Sequence, residues 1–366
     1  MESLPSVTLT NTQGCQICFV GKHLFSQIAS IANPSSVNPS DHLYPLVSFF
    51  SSLQSHGWHL DYAYLSESCF SVNGSLEPKR RLLVLFDAPL RASHSVRSLL
   101  QLYERSLLVL CEHPNYQHRD LAYLATRVDH IISRYHLSDV STPVTYTHID
   151  HLFNALPILS APQTTQQQSA HIVLVNSNLY SFRSSNYPLR RGLINALTMI
   201  MPESFQWYGR GWQRKDTPSA ILDLSYHKRN AILTLLRYPA IKSYSCYGGE
   251  LGAKTELIGS KSIVAIENYS YPSGYHTEKL FEPLTLGLVP LYLGSSMSPL
   301  IEELRIEPAT SLSEILALAY SYQNISHSES LFISRQYSTR LNDAISQGRL
   351  VSTLDYLHSL IMNDYS

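Results

Sequence analysis

An apolar run beginning at Ser262 ends in two polar residues, Glu267 and Asn268, and a turn rich in Tyr, Pro, Ser and Gly follows. Thr277-Glu278-Lys279 then opens a stretch that reaches Gly287. Threonine is a good helix N-cap and glycine a good C-terminal stop, so the spacing predicts a strand over Ser262–Glu267 and a helix from Thr277. The first turn of that helix offers free N–H groups and the positive end of the helix dipole, a natural seat for phosphate. Lys279 adds a full positive charge there. Glu278 cannot ligate phosphate but can accept hydrogen bonds from sugar hydroxyls. The combination suits a sugar nucleotide. Pro283 falls inside the helix, where it removes a hydrogen bond and bends the axis.

These residues need a scaffold, and the chain spells one out. In the first half, Gln16–Val20, Leu82–Phe86 and Leu107–Cys111 read as strands. Asp41 is placed to cap a helix that buries Leu43, Leu46, Val47, Phe50 and Leu53 and stops at Gly57, and a second helical segment spans Ser95–Arg105. Continuous apolar strands alternating with helices predict a doubly wound α/β domain covered on both faces. Residues 161–170 are polar, uncharged and poor in large apolar groups, a linker composition. A second β/α series starts at His171–Asn176. It continues through a helix near Leu189–Met201, a strand Phe205–Tyr208, a helix across Tyr226–Tyr238, a strand Val289–Leu293 and three final helical segments. The expected organisation is 1–160, a linker, 171–340, and a helical tail 341–366 packing back on the first domain, with chemistry in the cleft between domains.

Composition narrows the function. The 366 residues are 44% hydrophobic and 15% charged, enough to bury two sizeable cores. With 27 Lys+Arg against 28 Asp+Glu, the net charge of −1 disfavours nucleic-acid binding by bulk charge. Five cysteines, an odd number, argue against a disulfide framework, and Cys15-x-x-Cys18 lacks the second pair a structural zinc would need. The N-terminus resembles no signal peptide and no window approaches the ~20 apolar residues that span a bilayer, so a cytoplasmic protein is expected, with peripheral membrane contact left open. Gly14–His23 lacks phosphate-loop spacing, Gly209-Arg210-Gly211 lacks the third dinucleotide-binding glycine, and no H-E-x-x-H, G-x-S-x-G or Asp-x-Asp occurs. His148, Asp150 and His151 fall in a predicted loop and are not read as a metal site. A diphosphate here must be neutralised by protein cations and helix termini.

The ordered block E-N-x(6)-Y-H-T-E-K-L-F-E-P-L-T-L-G-L-V-P-L-Y-L-G resembles the signature of the α1,3/4-fucosyltransferases. Upstream, VNSNLYSFRSSNYPLRRGLINAL (175–197) and FQWYGRGW (205–212) resemble the same family less tightly, so the resemblance covers most of 171–300. It implies a GT-B fold of two Rossmann-like domains, GDP-fucose as donor, inverting transfer without a metal or other cofactor, and a glycan acceptor. Carried onto this chain, it implies that Arg190 and Lys279 bind the donor diphosphate, that Glu278 contacts sugar or ribose hydroxyls, that Tyr275 contacts the donor, and that Glu267 and Asn268 line the fucose pocket. Arg191 fits the register less well. Tyr269 and His276 stand where the family more often has Ser and Val. Inverting transfer needs a base for the acceptor hydroxyl. The family's base is a glutamate at a strand end closely followed by proline, which points to Glu112 in Glu112-His113-Pro114, with Asp87 in reserve. Two alternatives stay open, a same-fold transferase using another nucleotide sugar and a non-enzymatic glycan-binding relative.

Overall fold

The computed structural model describes residues 15–21, 44–64, 80–87, 97, 100–111, 121–133, 145–148, 171–181, 186–212, 220–222, 238–252, 254–270, 274–296 and 298–365. The chain divides into two compact units, Met1–Pro157 with Val351–Ser366, and Ile158–Leu350. The linker 161–170, most of the Tyr226–Tyr238 helix, the Asp41 cap, Asp150 and His151 lie outside the described residues.

The first unit is built on a parallel sheet in the order β2-β1-β3-β4-β5-β6, with β1 Cys15–Gly21, β2 His59–Tyr64, β3 Arg80–Phe86, β4 Arg105–Leu110, β5 His130–Ser133 and β6 Thr145–His148. Side chains alternate across the pleat, so a sheet covered on both faces needs apolar residues at every position. Ile17, Phe19, Leu82, Val84, Leu107 and Val109 pack on one face against Leu46, Phe50 and Leu53 of α1 (Tyr44–Ser55). Cys18, Val20, Leu83, Leu85, Leu108 and Leu110 pack on the other against Leu124 of α2 (Leu121–Ala125). Gly57 stands at φ 88°, the left-handed conformation that ends the α1 region.

The second unit has a parallel sheet β12-β11-β7-β9, from β7 Ile172–Val175, β9 Phe205–Tyr208, β11 Ser262–Ile266 and β12 Val289–Leu293. A short parallel pair joins β8 Leu179–Ser181 to β10 Ala220–Leu222. Residues Leu174, Trp207, Val264, Ile266 and Leu291 share one core with Leu193, Ile194 and Leu197 of α3 (Tyr187–Ile200). The chain leaves β7 toward β9 on one side and returns as β11 on the other, so β7/β11 is the topological switch point. After β11 come α4 Glu278–Thr285, α5 Pro299–Leu304, α6 Leu312–Gln323, α7 His327–Ser346 and α8 Thr353–Asp364.

Several expectations need correction. Arg105 begins β4 rather than ending a helix, and the next residue is locked there by its N–H donating to Asp129 at 2.7 Å. Four helices, not three, follow β12, because Ser298, Ser311, Ser326 and Ser352 each cap a separate one. Leu341 sits inside α7, a 20-residue helix opened by a Ser326/Glu329 capping box, so no tail begins there. The segment that joins the first unit starts at Val351, and Leu354, Leu357 and Ile361 of α8 pack beside Phe50 and Leu53. His148 ends β6 rather than lying in a loop.

Candidate functional site

The glutamate that directly follows β11 organises the region. Glu267 is 0% exposed, and its carboxylate accepts the backbone N–H of Thr277 at Oε1 (2.7 Å) and the Thr277 hydroxyl at Oε2 (2.6 Å). Thr277 is extended and its Oγ1 accepts from Lys279 N at 3.4 Å, so the helix entry is fixed from both sides. At the other end Gly287 takes φ 73°, and the N–H groups of Gly287 and Leu288 cap the carbonyls of Leu284 and Pro283. Gly294 makes room for this arrangement: a Cβ there would come within 2.1 Å of the Tyr292 hydroxyl and 2.9 Å of Glu267 Cγ. His276 is buried beneath the helix start, its Nδ1 2.9 Å from the Tyr292 hydroxyl and its Nε2 2.7 Å from the Ser298 hydroxyl that caps α5.

Arg190 arrives from α3. Asn186, at the N-cap position of that helix, uses its side-chain amide to reach the Glu267 carbonyl and the Ser270 hydroxyl, both at 3.0 Å. This ties the α3 N-terminus to the end of β11. One turn on, Arg190 is 6% exposed, with Nη2 donating to the Ile266 carbonyl (2.5 Å) and Asn268 Oδ1 (2.8 Å) and its guanidinium 4.6 Å from the Tyr187 ring centre. Neighbouring Arg191 points elsewhere, to the Pro239 carbonyl and Asn178, over the Trp212 ring.

Arg190, Asn268, Glu278 and Lys279 line one cavity of about 400 Å³ at the carboxyl ends of β7 and β11. Its apolar walls include Leu174, Leu179, Val264 and Pro283. The size and the mixture of apolar wall with few polar groups fit a small-molecule site. Lys279 Nζ lies 3.0 Å from both Thr277 Oγ1 and Glu278 Oε1, and 3.8 Å from Glu267 Oε2. Burial alone would lower the pKa of Lys279, but Glu278 and Glu267 outweigh it and raise the value against the opposing field of Arg190. For Glu278 burial pushes up, yet Lys279 and Lys254 hold the carboxyl at about 2. Its side chain is 39% exposed, so solvent screens that pair and little stability rests on it. For Glu267 burial dominates and raises the pKa despite Lys279 and Thr277.

The remaining candidates fall outside the cavity lining. Glu267 lies behind the cavity with both oxygens bound to Thr277, and Tyr275 is 2% exposed, its ring edge-on to Tyr269 at 6.1 Å. Glu112 lies outside the described residues. Asp87 directly follows β3 at φ 60°, and its Oδ1 accepts the Cys111 N–H at 2.7 Å, holding the chain one residue before Glu112. Two residues missed in the sequence also line the cavity, Lys254 of a short 3-10 turn and Glu282 of α4, and they form an ion pair. Among the described residues no group of three or more His, Cys, Asp or Glu could hold a metal ion, and no helix is long and apolar enough to cross a membrane.

No protein-family model matches the sequence, and no curated protein does. Solved structures do match its backbone. The trehalose-6-phosphate synthase of Burkholderia multivorans superposes with a TM-score of 0.51 at 11% identity, over 96% of each chain. The E. coli trehalose-6-phosphate structure bound with UDP-2-fluoro glucose gives 0.52 at 10% identity, over 95% of this chain and 98% of that one. The fold is GT-B. At such identities the likeness concerns architecture alone. In GT-B terms, the two parallel-sheet units are the two Rossmann-like domains, and the cavity belongs to the C-terminal one.

Proposed function

We propose that the protein is a glycosyltransferase that moves L-fucose from GDP-fucose to a hydroxyl of a glycan acceptor, at O3 or O4 of N-acetylglucosamine or glucose. One observation carries this reading: Arg190 and Lys279, from two different helices, converge with the first turn of α4 on a single cavity at the switch point of a GT-B domain. A guanidinium can take two phosphate oxygens at once, the ammonium acts as a point charge, and the helix N-terminus adds N–H donors. Such preorganised positive groups stabilise a departing nucleoside diphosphate. One neighbour of the same fold is bound with the nucleotide sugar UDP-2-fluoro glucose. The narrower choice of GDP-fucose rests on the E-N…Y-H-T-E-K block.

In the reaction, Glu112 takes the acceptor hydroxyl proton as that oxygen bonds to the anomeric carbon, the carbon–phosphate-oxygen bond breaks, and GDP leaves with the electron pair. Arg190 and Lys279 meet the charge that develops on the β-phosphate. No metal takes part in this scheme. Asp87, its carboxylate engaged by Cys111 N–H, serves the chain path rather than the proton. One neighbour, a trehalose-6-phosphate synthase, transfers with retention, which makes product stereochemistry a separate question that the anomeric coupling in an NMR spectrum of the product answers.

The test is a thermal-shift series with GDP, UDP and dTDP, followed by transfer from GDP-fucose to galactose- and N-acetylglucosamine-ended acceptors. GDP is expected to stabilise the wild type and to lose its effect in Arg190→Ala and Lys279→Ala. Stabilisation by UDP alone rejects the donor. Binding of glycan with no transfer or hydrolysis of GDP-fucose supports the non-enzymatic relative instead.

A further inference from the structure

The cavity holds a pair of charged residues that the diphosphate does not use. Lys254 and Glu282 form an ion pair on the cavity wall, the lysine 43% exposed and the glutamate 14%. Glu282 stands three residues after Lys279 on α4, about 4.5 Å along the helix axis from it, on the same face. Val175, Leu179, Pro283 and Leu286 add apolar lining to the same cavity. A charged pair set among apolar walls, one turn from a phosphate-binding lysine, is placed to meet the next part of a nucleotide.

We infer that Lys254 and Glu282 read the nucleobase of the donor and select guanine, an assignment that rests on the cavity being the nucleotide site. A carboxylate only accepts, and accepts best from two parallel N–H donors. Among the four common bases, guanine alone presents two adjacent donors on one edge, N1–H and the N2 amino group, with the acceptor O6 beside them. Adenine and cytosine place an acceptor next to their amino group. Uracil has one N–H between two carbonyls. Glu282 therefore takes N1–H and N2–H while the Lys254 ammonium donates to O6, so the base is read as donor, donor, acceptor. Glu282 is mostly withdrawn from water, which strengthens each of these bonds and penalises a base that leaves the carboxylate unmatched.

Inosine diphosphate, which differs from GDP only in lacking the N2 amino group, isolates the contact. Titration calorimetry of the full chain is expected to show GDP bound at least about tenfold more tightly than inosine diphosphate. In Glu282→Gln the preference should collapse to within about threefold, while Lys254→Met should weaken both ligands alike because both keep O6. A wild-type ratio near one, or a ratio unmoved by Glu282→Gln, overturns the assignment and leaves the pair as a tie between the 3-10 turn and α4. If Glu282→Gln does not fold, unchanged binding of both ligands by Lys254→Met overturns it equally. GDP binding that needs Arg190 and Lys279 but ignores Glu282 sinks only the base reading. No binding of any nucleoside diphosphate by the wild type sinks the donor reading as well.

Discussion

Replacing Glu267 tests whether the buried carboxylate is the post on which the site hangs. Glu267→Ala removes the acceptor of the Thr277 N–H, now 2.7 Å away, and of the Thr277 hydroxyl at 2.6 Å, at a half-buried helix start. Each orphaned donor costs about 1–3 kcal/mol, and the lost side chain opens a cavity beside Gly294. The sum is about 3–5 kcal/mol, comparable to breaking a buried charge pair. For a unit of roughly two hundred residues this lowers Tm by about 6–20 °C. Glu267→Gln keeps the volume and one acceptor, so it should cost less, about 1–2 kcal/mol. Titration separates the two forms of the wild type. Burial raises the folded-state pKa above the ordinary 4.5, so the folded protein keeps a proton that the unfolded chain has already lost. The stability from this group is fully present below pH 4.5 and is lost as pH rises through the folded value. Glutamine does not titrate, so the gap between wild type and Glu267→Gln should narrow as pH rises. Tryptophan fluorescence during chemical denaturation is the assay, because Trp207 and Trp212, two of the three tryptophans, lie in this unit's core. A gap that widens with pH, or a Glu267→Ala penalty under about 1 kcal/mol, refutes the reasoning.

Three other outcomes are expected. Gly294→Ala drives a methyl group into the Tyr292 hydroxyl and Glu267 Cγ, both fully buried, and should lower stability by about 1–3 kcal/mol in urea denaturation. Asp87→Asn keeps both the acceptor for Cys111 N–H and tolerance of φ 60°, so transfer activity should persist, whereas Glu112→Gln should cut turnover by roughly 10²–10⁴-fold; the reverse pattern in a GDP-fucose assay would make Asp87 the base. The Cys18 thiol, 4% exposed, is pushed by burial up to about 12, so alkylation of native protein at neutral pH should spare it, as peptide mass spectrometry against an unfolded control can read; rapid native labelling would contradict that burial.

The strand-turn-helix that carries the cations was legible because its punctuation is local. Thr277 and Gly287 bracket α4, and Val289–Leu293 forms the strand its apolar run announced. The strands β2, β5 and β6 were not legible, since HLDYAY, HIIS and TYTH mix polar and aromatic residues over short spans and draw their stability from neighbours. The burial of Glu267 and Tyr275 illustrates a different limit. A strand-end glutamate and a turn tyrosine can face a ligand or fold back into the protein, and only the packing of Gly294 and Tyr269 turns them inward. The Lys254–Glu282 pair joins residues 28 apart through a turn with no periodic pattern, so nothing in the local sequence advertises it.

By itself the sequence determined which residue types were on hand and where helices begin and end, because capping, glycine stops and hydrophobic periodicity act within a few residues. Tertiary structure decided which charges meet. Arg190 and Lys279 are 89 positions apart and share a cavity only because β11 returns beside β7 and Asn186 latches α3 to its end. Adjacent arginines part company for the same reason: one helical position is a turn of about 100°, and packing assigns Arg190 to the cavity and Arg191 to Trp212 and the Pro239 carbonyl.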